Sequence, residues 1–262
     1  MPELSCVIFD WAGTTVDFGS MSPVAAFREA FLQHELVVTD EEIRAPMGML
    51  KRDHIKTMLG FPRIRELFCQ KNGREPNDAD IDSIYQAFEP SLMQVLPACS
   101  SLKPYVPEAV DYLRSKGIKI GSTTGYTGKM MEVVVRCAKE QDYNPDCLVV
   151  PDEVGNQGRP FPYMIFENLR RLSIKSVREV IKIGDTLSDL EEAKNAGVFA
   201  VGVVEGSSVM GLTEDEFNAL SVVEREEACR KAELTFYQHG ADFVIRNLGQ
   251  MDLLQQVFEH RV

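Results

Sequence analysis

Short apolar runs and longer amphipathic stretches alternate along most of this chain, with one long interruption. Residues 5–9, SCVIF, are an apolar run ending in Asp10. A run of that length without alternation predicts a buried strand with the acid at its C-terminal end. The next stretch, WAGTTVDFGS, holds glycines and hydroxyls but no helical period, so it reads as a loop. Between residues 23 and 97 the period is helical. VAAFREAFLQ is one helix, and MLKRDHIKTML is another, stopped by Gly60 and Pro62. A third begins near Asn77, with Ile81, Ile84, Tyr85, Phe88, Leu92 and Val95 as its apolar stripe.

Beyond residue 97 the alternation resumes. The helix VPEAVDYLRSKG precedes the strand IKIGST, and MMEVVVRCAKE precedes CLVV. PYMIFENLRRL leads to VREVIKIGD, LSDLEEAKNAG to VFAVGVV, and a last strand ADFVI to NLGQMDLLQQVFEH. Apolar strands separated by helices predict an α/β fold with a doubly wound, mostly parallel sheet. The expected core is residues 1–18 with 101–262. The expected all-helical cap is the insert 19–100, including its hinge segments.

Composition narrows the function. Hydrophobic residues make up 44% of 262, ample for a core, and the net charge of -12 leaves no broad basic surface. Nucleic-acid and anionic-membrane partners are therefore disfavoured. No apolar run is long enough for a membrane helix, and MPELSCVIFD lacks the basic start of a signal peptide. A cytoplasmic protein is expected. Cys6, Cys69, Cys99, Cys137, Cys147 and Cys229 form no close CxxC pair and read as free thiols.

Ligand sites in such sheets lie beyond the C-terminal strand ends. Four of these ends carry chemistry: Asp10; Thr124 with Gly125; Arg159 in GRP; and Asp185 with Asp189 in GDTLSD. Each alone could be a turn residue or a helix cap. Together they fit phosphoryl transfer. Facing carboxylates call for a hard cation such as Mg²⁺, and with their charge offset Asp10 can act as a covalent nucleophile. Thr124 and nearby N–H groups would hold phosphoryl oxygens, and Arg159 would balance their charge.

DWAGTTVD, STTGYT, GRP and GDTLSD resemble, in order and spacing, the four motifs of the haloacid dehalogenase superfamily, and the helical insert resembles its cap. The usual first motif carries a general-acid Asp two residues after the nucleophile. Here that position is Ala12, which can offer a metal its backbone carbonyl but cannot move a proton. Such an acid is typically worth about 10²–10⁴-fold on a phosphate ester. In the cap segment RAPMGMLKRDHIKTMLG, a helix would place Met47, Lys51, His54 and Met58 near one face. A lysine there is more often solvated. Desolvated under a closing cap, it could instead attack a carbonyl and form an iminium, and the leaving carbon would then need no acid.

IFDWAGTTVD, PMG-LK--H, KIGSTTGYT, GRP-P and GDT-SD together resemble the phosphonoacetaldehyde hydrolase family over nearly the whole chain. That resemblance implies hydrolysis of a carbon–phosphorus bond, with Asp10 as nucleophile and Lys51 as Schiff-base residue. It implies Mg²⁺ on Asp10, the Ala12 carbonyl and Asp185, with Asp189 in support through water. His54 would relay protons, Met47 and Tyr126 would shape the pocket, and Ser20 stands where a relative has Cys. It also suggests a homodimer, for which Val24, Phe27 and Phe31 are the candidate contact, unless they form the cap's own core. Trp11 could be a packing residue. A phosphatase or phosphomutase acting on a small phosphate ester is the alternative, disfavoured by Ala12, and a non-catalytic binding protein is a remote one.

Overall fold

A computed structural model describes residues 3–260. Its strands are β1 (Cys6–Phe9), β2 (Lys119–Thr123), β3 (Cys147–Val149), β4 (Val180–Gly184), β5 (Phe199–Val203) and β6 (Phe243–Ile245). All pair in parallel, in the order β3-β2-β1-β4-β5-β6. The central β1 and β4 are buried along their whole length, as the apolar runs predict, with Lys182 the one charged residue in them. The chain winds outward from β1 through β2 to β3, then returns to β4. The crevice between β1 and β4 is therefore the switch point where such sheets place ligands. Phe9 stands level with Ser122 and with Ile183, so Asp10, Thr124 and Asp185 leave the sheet at nearly one height.

Between β1 and β2, residues 21–95 contribute helices and no strand: α1 (Met21–Gln33), α2 (Asp40–Arg44), α3 (Lys51–Gly60), α4 (Pro62–Asn72) and α5 (Asp78–Val95). The stripe of α5 is as the period requires, with Ile81, Ile84, Phe88 and Leu92 buried, and Asn77 caps its N-terminus through a reciprocal bond with Asp80. One open alternative is decided here and one expectation needs correction. Val24, Phe27 and Phe31 are buried, and Phe27 stacks on Phe88 with ring centroids 4.2 Å apart. They are the cap's own core, because α1 turns its apolar face onto α5, and they offer no surface to a second copy. Met47 does not share a helix with Lys51, since α3 begins at Lys51 and Met47 sits in the turn before it.

The remaining helices cover the sheet: α6 (Val106–Ser115), α7 (Gly128–Lys139), α8 (Tyr163–Arg171), α9 (Leu187–Ala196), α10 (Glu214–Ala219), α11 (Val222–Gln238) and α12 (Met251–Glu259). The two crossings between helical insert and sheet run side by side. Val16 bridges Leu102, the Asp17 N–H donates to the Ser101 carbonyl at 3.2 Å, and the Lys103 N–H donates to the Thr15 carbonyl at 2.9 Å. Among the described residues all six cysteines are unpaired, and no helix is long and apolar enough to cross a membrane.

Candidate active site

Asp10 ends β1 and opens a tight loop. The N–H groups of Thr14, Thr15 and Val16 all donate to the Trp11 carbonyl, and the Gly13 N–H donates back to Val16. Gly13 has a φ of 85°, and a Cβ there would collide with the Asp185 carboxylate, so glycine is required on both counts. Trp11 anchors the loop from below. It is fully buried and meets Tyr143 edge-on at 5.1 Å, which makes it a packing residue.

Asp10, Asp185 and Asp189 are all buried, and their carboxylate oxygens converge to within 4.8 Å. Their partners differ. Asp189 sits between two cations, Arg159 Nη1 at 3.1 Å and Lys182 Nζ at 2.7 Å, and also accepts from the Thr186 hydroxyl at 2.7 Å. Asp10 accepts from Arg159 Nη2 at 2.7 Å. Asp185 has no ion pair among the described residues. It accepts from the Thr14 hydroxyl at 3.2 Å and from the Ser208 N–H at 2.8 Å. Burial, with Asp10 and Asp189 nearby, pushes its carboxyl well above the usual range. An electron-rich oxygen set with one underbalanced member is what a hard divalent cation would complete, so the residues fit such a metal. Asp189, already held by two cations and a helix cap, is suited to hold the site together.

Arg159 is fixed on every side. Nε donates to Glu192 at 2.9 Å, Nη1 faces Asp189, and Nη2 donates to Asp10 and, at 2.9 Å, to the Thr123 hydroxyl. Lys182, buried in β4, balances Asp189 and Glu192. Thr124 turns inward, its hydroxyl accepting from the Tyr126 N–H at 3.1 Å.

The helical insert closes this crevice. A small cavity of about 20 Å³ is lined by Asp10, Ala12, Met47, Lys51, Thr124 and Arg159, together with Ser20, Gly48, Gly125 and Tyr126. That volume holds about one water molecule, so the described state is closed. A Cβ on Gly125 would strike the carbonyls of Gly48 and Met49, so the two backbones meet there with no room between them. Lys51 enters as the first residue of α3. Its amine lies 5.0 Å from the centre of the Tyr126 ring and 5.8 Å from that of Phe27, with no ion pair among the described residues. Burial lowers its pKa from 10.5 to about 8; Asp10 opposes that shift and Arg159 adds to it. The positive end of α3 acts in the same direction as Arg159.

His54 lies one turn along α3. Its Nε2 is 2.8 Å from the Ile43 carbonyl, so that nitrogen carries the proton, and Nδ1 has no hydrogen-bond partner among the described residues. Burial holds the ring neutral, with Lys51 adding to the effect. Ser22 joins Tyr126 to the first crossing segment, its hydroxyl 3.1 Å from the Tyr126 oxygen and 2.5 Å from Asp17. Every residue expected from the sequence lies at this crevice or, for His54 and Asp189, directly behind it. Thr14, Thr123, Lys182, Glu192 and Ser208 were not expected. A lysine in the middle of the apolar strand VIKIG was the one legible signal among them.

Comparison with known proteins agrees with this arrangement. The family model of haloacid dehalogenase-like hydrolases matches residues 4–197. Phosphonoacetaldehyde hydrolase from Bacillus cytotoxicus is 44% identical over 258 residues, covering 98% of this chain and 96% of that one. The enzyme of the same name from Lysinibacillus sphaericus is 46% identical over 252 residues, covering 96% and 94%. A solved structure of a phosphonoacetaldehyde hydrolase-like protein from Oleispira antarctica superposes with a TM-score of 0.95 at 37% identity, covering 98% of this chain and 93% of that one.

Proposed function

The chain belongs to the haloacid dehalogenase-like hydrolases and, among them, to the phosphonoacetaldehyde hydrolase family, and from that membership we propose that it cleaves the carbon–phosphorus bond of phosphonoacetaldehyde to acetaldehyde and phosphate. The observation that carries the reading is the pairing of Ala12, where a phosphatase would hold its acid, with a buried amine at Lys51 facing the same cavity.

Lys51 Nζ, neutral for part of the time, adds to the aldehyde carbon, and loss of water gives an iminium. The carbon–phosphorus bond then breaks. Its electron pair enters the carbon–nitrogen system as an enamine, so no alkoxide forms and no acid at position 12 is needed. Asp10 takes the phosphoryl group as an aspartyl phosphate. Arg159, held by Glu192, Asp189 and Thr123, offsets the phosphoryl charge. Thr124 and the Gly125 N–H orient its oxygens. Water hydrolyses the acyl phosphate. The enamine is protonated at carbon and the resulting imine hydrolyses to free Lys51. His54, neutral with a bare Nδ1, passes protons to and from the amine.

Mg²⁺ would be held by Asp10, the Ala12 carbonyl and Asp185, with Asp189 in support, and when bound it offsets the repulsion between carboxylate and phosphonate. Residues 19–100 act as a cap on a core of 1–18 and 101–262, and Met47, Ser20 and Tyr126 shape the pocket they enclose. The substrate is a small phosphonate, and the protein works in the cytoplasm. Borohydride added with phosphonoacetaldehyde tests the reading. Peptide mapping is expected to find an ethyl adduct on Lys51 with irreversible loss of activity, and Lys51→Arg is expected to be inactive. An adduct on another lysine, or turnover by Lys51→Arg, would refute it.

A further inference from the structure

Arg44 ends α2, just before the turn that carries Met47 and Gly48 into the site. Its guanidinium spans both sides of the crevice. Nη1 donates to the Gly19 carbonyl at 2.8 Å and, at longer range, to the carbonyl and hydroxyl of Ser208 at 3.4 and 3.3 Å. Nη2 donates to the Gly211 carbonyl at 3.4 Å and lies 3.1 Å from the Met21 sulfur. No carboxylate forms an ion pair with Arg44 among the described residues. Its fork is committed to neutral acceptors, an arrangement that fixes geometry, while the charges of Asp40, Asp185 and Asp17 lie near enough to act on it.

Those acceptors belong to two segments that matter. Gly19 lies in the first crossing between sheet and helical insert. Ser208 and Gly211 lie in the loop after β5, where Ser207 and Ser208 are buried. That loop donates the Ser208 N–H to Asp185 at 2.8 Å, and its Gly206 carbonyl accepts from the Gly19 N–H at 2.8 Å. One side chain of the insert thus touches the crossing and also the loop that places a hydrogen bond on the most poorly balanced carboxylate of the site.

We propose that Arg44 is a positioning residue that joins cap closure to the seating of Asp185. With the cap closed, its guanidinium fixes the Gly19, Ser208 and Gly211 carbonyls. The loop so fixed holds the Ser208 N–H on the Asp185 carboxylate. The coupling is reciprocal, so a cation bound at Asp185 favours the closed cap by the same factor that closure favours the cation. The inference rests on residues 19–100 acting as a cap, and not on which substrate the cap covers.

Two readouts taken without substrate test it. Trp11 is the sole tryptophan and adjoins Asp10, so its fluorescence follows Mg²⁺ titration at the site. The exposed Pro97 and Ala98 in the second crossing report opening through cleavage by a broad-specificity protease. Arg44→Met keeps the aliphatic length and removes every donor. We expect cleavage between residues 97 and 101 to accelerate about tenfold and the Mg²⁺ midpoint to rise roughly three- to tenfold, within the range of coupling between residues sharing a network. Arg44→Lys, which restores one cationic group toward Gly19, is expected to recover part of both effects. Arg65→Met, which loses an exposed pair with Glu75, is expected to change neither. Faster cleavage with an unchanged Mg²⁺ midpoint overturns the coupling, as does no change in either. If Arg44→Met does not fold, Arg44→Lys carries the same comparison: a joint shift supports the proposal, and a shift in one readout alone refutes it. Carbon–phosphorus cleavage is judged separately by the borohydride trap.

Discussion

The Lys51 amine lies over the Tyr126 ring, 5.0 Å from its centre, inside a closed cavity and without an ion pair among the described residues. The contact with the ring face favours a cation, yet burial outweighs it and lowers the pKa from 10.5 to about 8. At pH 7 about a tenth of the amine is then neutral, roughly 300-fold more than in the unperturbed side chain. Imine formation needs that neutral form. The rate of borohydride-trapped adduct formation should therefore rise with pH up to about 8 and level off above it. His54 is held neutral throughout that range, so no second limb near its ordinary value is expected. A profile still rising steeply past pH 9 would show an amine that is not desolvated.

The same burial makes Lys51 costly to the fold. Its folded pKa is depressed, so between about 8 and 10.5 the unfolded chain binds the proton that the folded chain has released, and stability rises with pH across that window. Below it the folded protein carries the full cost of a buried ammonium. The shift of about 2.5 units sets that cost on the order of 3 kcal/mol. Lys51→Met, similar in length and apolar, should therefore raise the melting temperature at pH 7 while removing activity. Thermal unfolding monitored by circular dichroism checks the sign. A less stable Lys51→Met would mean that the lysine makes a favourable contact absent from the closed state.

Asp185 makes the converse case for the metal. Burial and two carboxylate neighbours disfavour its charge, and the Lys103 charge with the Ser208 N–H offsets only part of that. Mg²⁺ should stabilise the wild-type protein, by about 2.7 kcal/mol at a concentration 100 times its dissociation constant. Asp185→Asn removes one of the repelling charges. It should unfold at a higher temperature than wild type in chelator, gain little from Mg²⁺, and lose activity. Equal Mg²⁺ stabilisation of both proteins would place the cation elsewhere.

The sheet and the residues at its strand ends were legible because they obey local rules. Apolar runs such as SCVIF, and VIKIG with its single lysine, mark buried strands, and an acid directly after such a run stands at a ligand-facing end. Lys51 could be singled out only because Ala12 left an acid missing. Other parts depended on distant packing. Met47 was placed on the helix of Lys51, but α3 starts at Lys51 and the turn before it brings the methionine to the cavity instead. Val24, Phe27 and Phe31 are apolar at helical spacing, which is the same pattern whether the face meets α5 or another molecule. No strong apolar face announced α10 or α11, and α11 leaves Val222 and Val223 exposed at its start. Glu192 sits in the polar stretch SDLEEAKN, where nothing in the sequence separates it from its solvated neighbour Glu191.

Glu192 and Arg159 carry the last prediction. Arg159 uses both faces of its fork, with Glu192 on Nε, Asp189 on Nη1, and Asp10 with Thr123 on Nη2. A lysine at 159 could satisfy one or two of these acceptors and would leave the others buried without a donor. Arg159→Lys should lose about 10²-fold or more in turnover, as loss of an aligned charge-stabilising donor does elsewhere. Glu192→Gln keeps the volume and an amide oxygen for Nε, so Arg159 stays aimed at Asp10 and turnover should fall by less than about tenfold. Glu192→Ala removes the acceptor altogether. It leaves Arg159 and Lys182 sharing Asp189 in a buried site, and breaking such a pair costs about 3–5 kcal/mol. Its melting temperature should drop well below that of Glu192→Gln. Steady-state kinetics and thermal unfolding on the three variants separate orientation from stability. If Glu192→Gln proved as inactive as Arg159→Lys while remaining equally stable, the Glu192 carboxylate would have a direct part in the chemistry and not one exerted through Arg159.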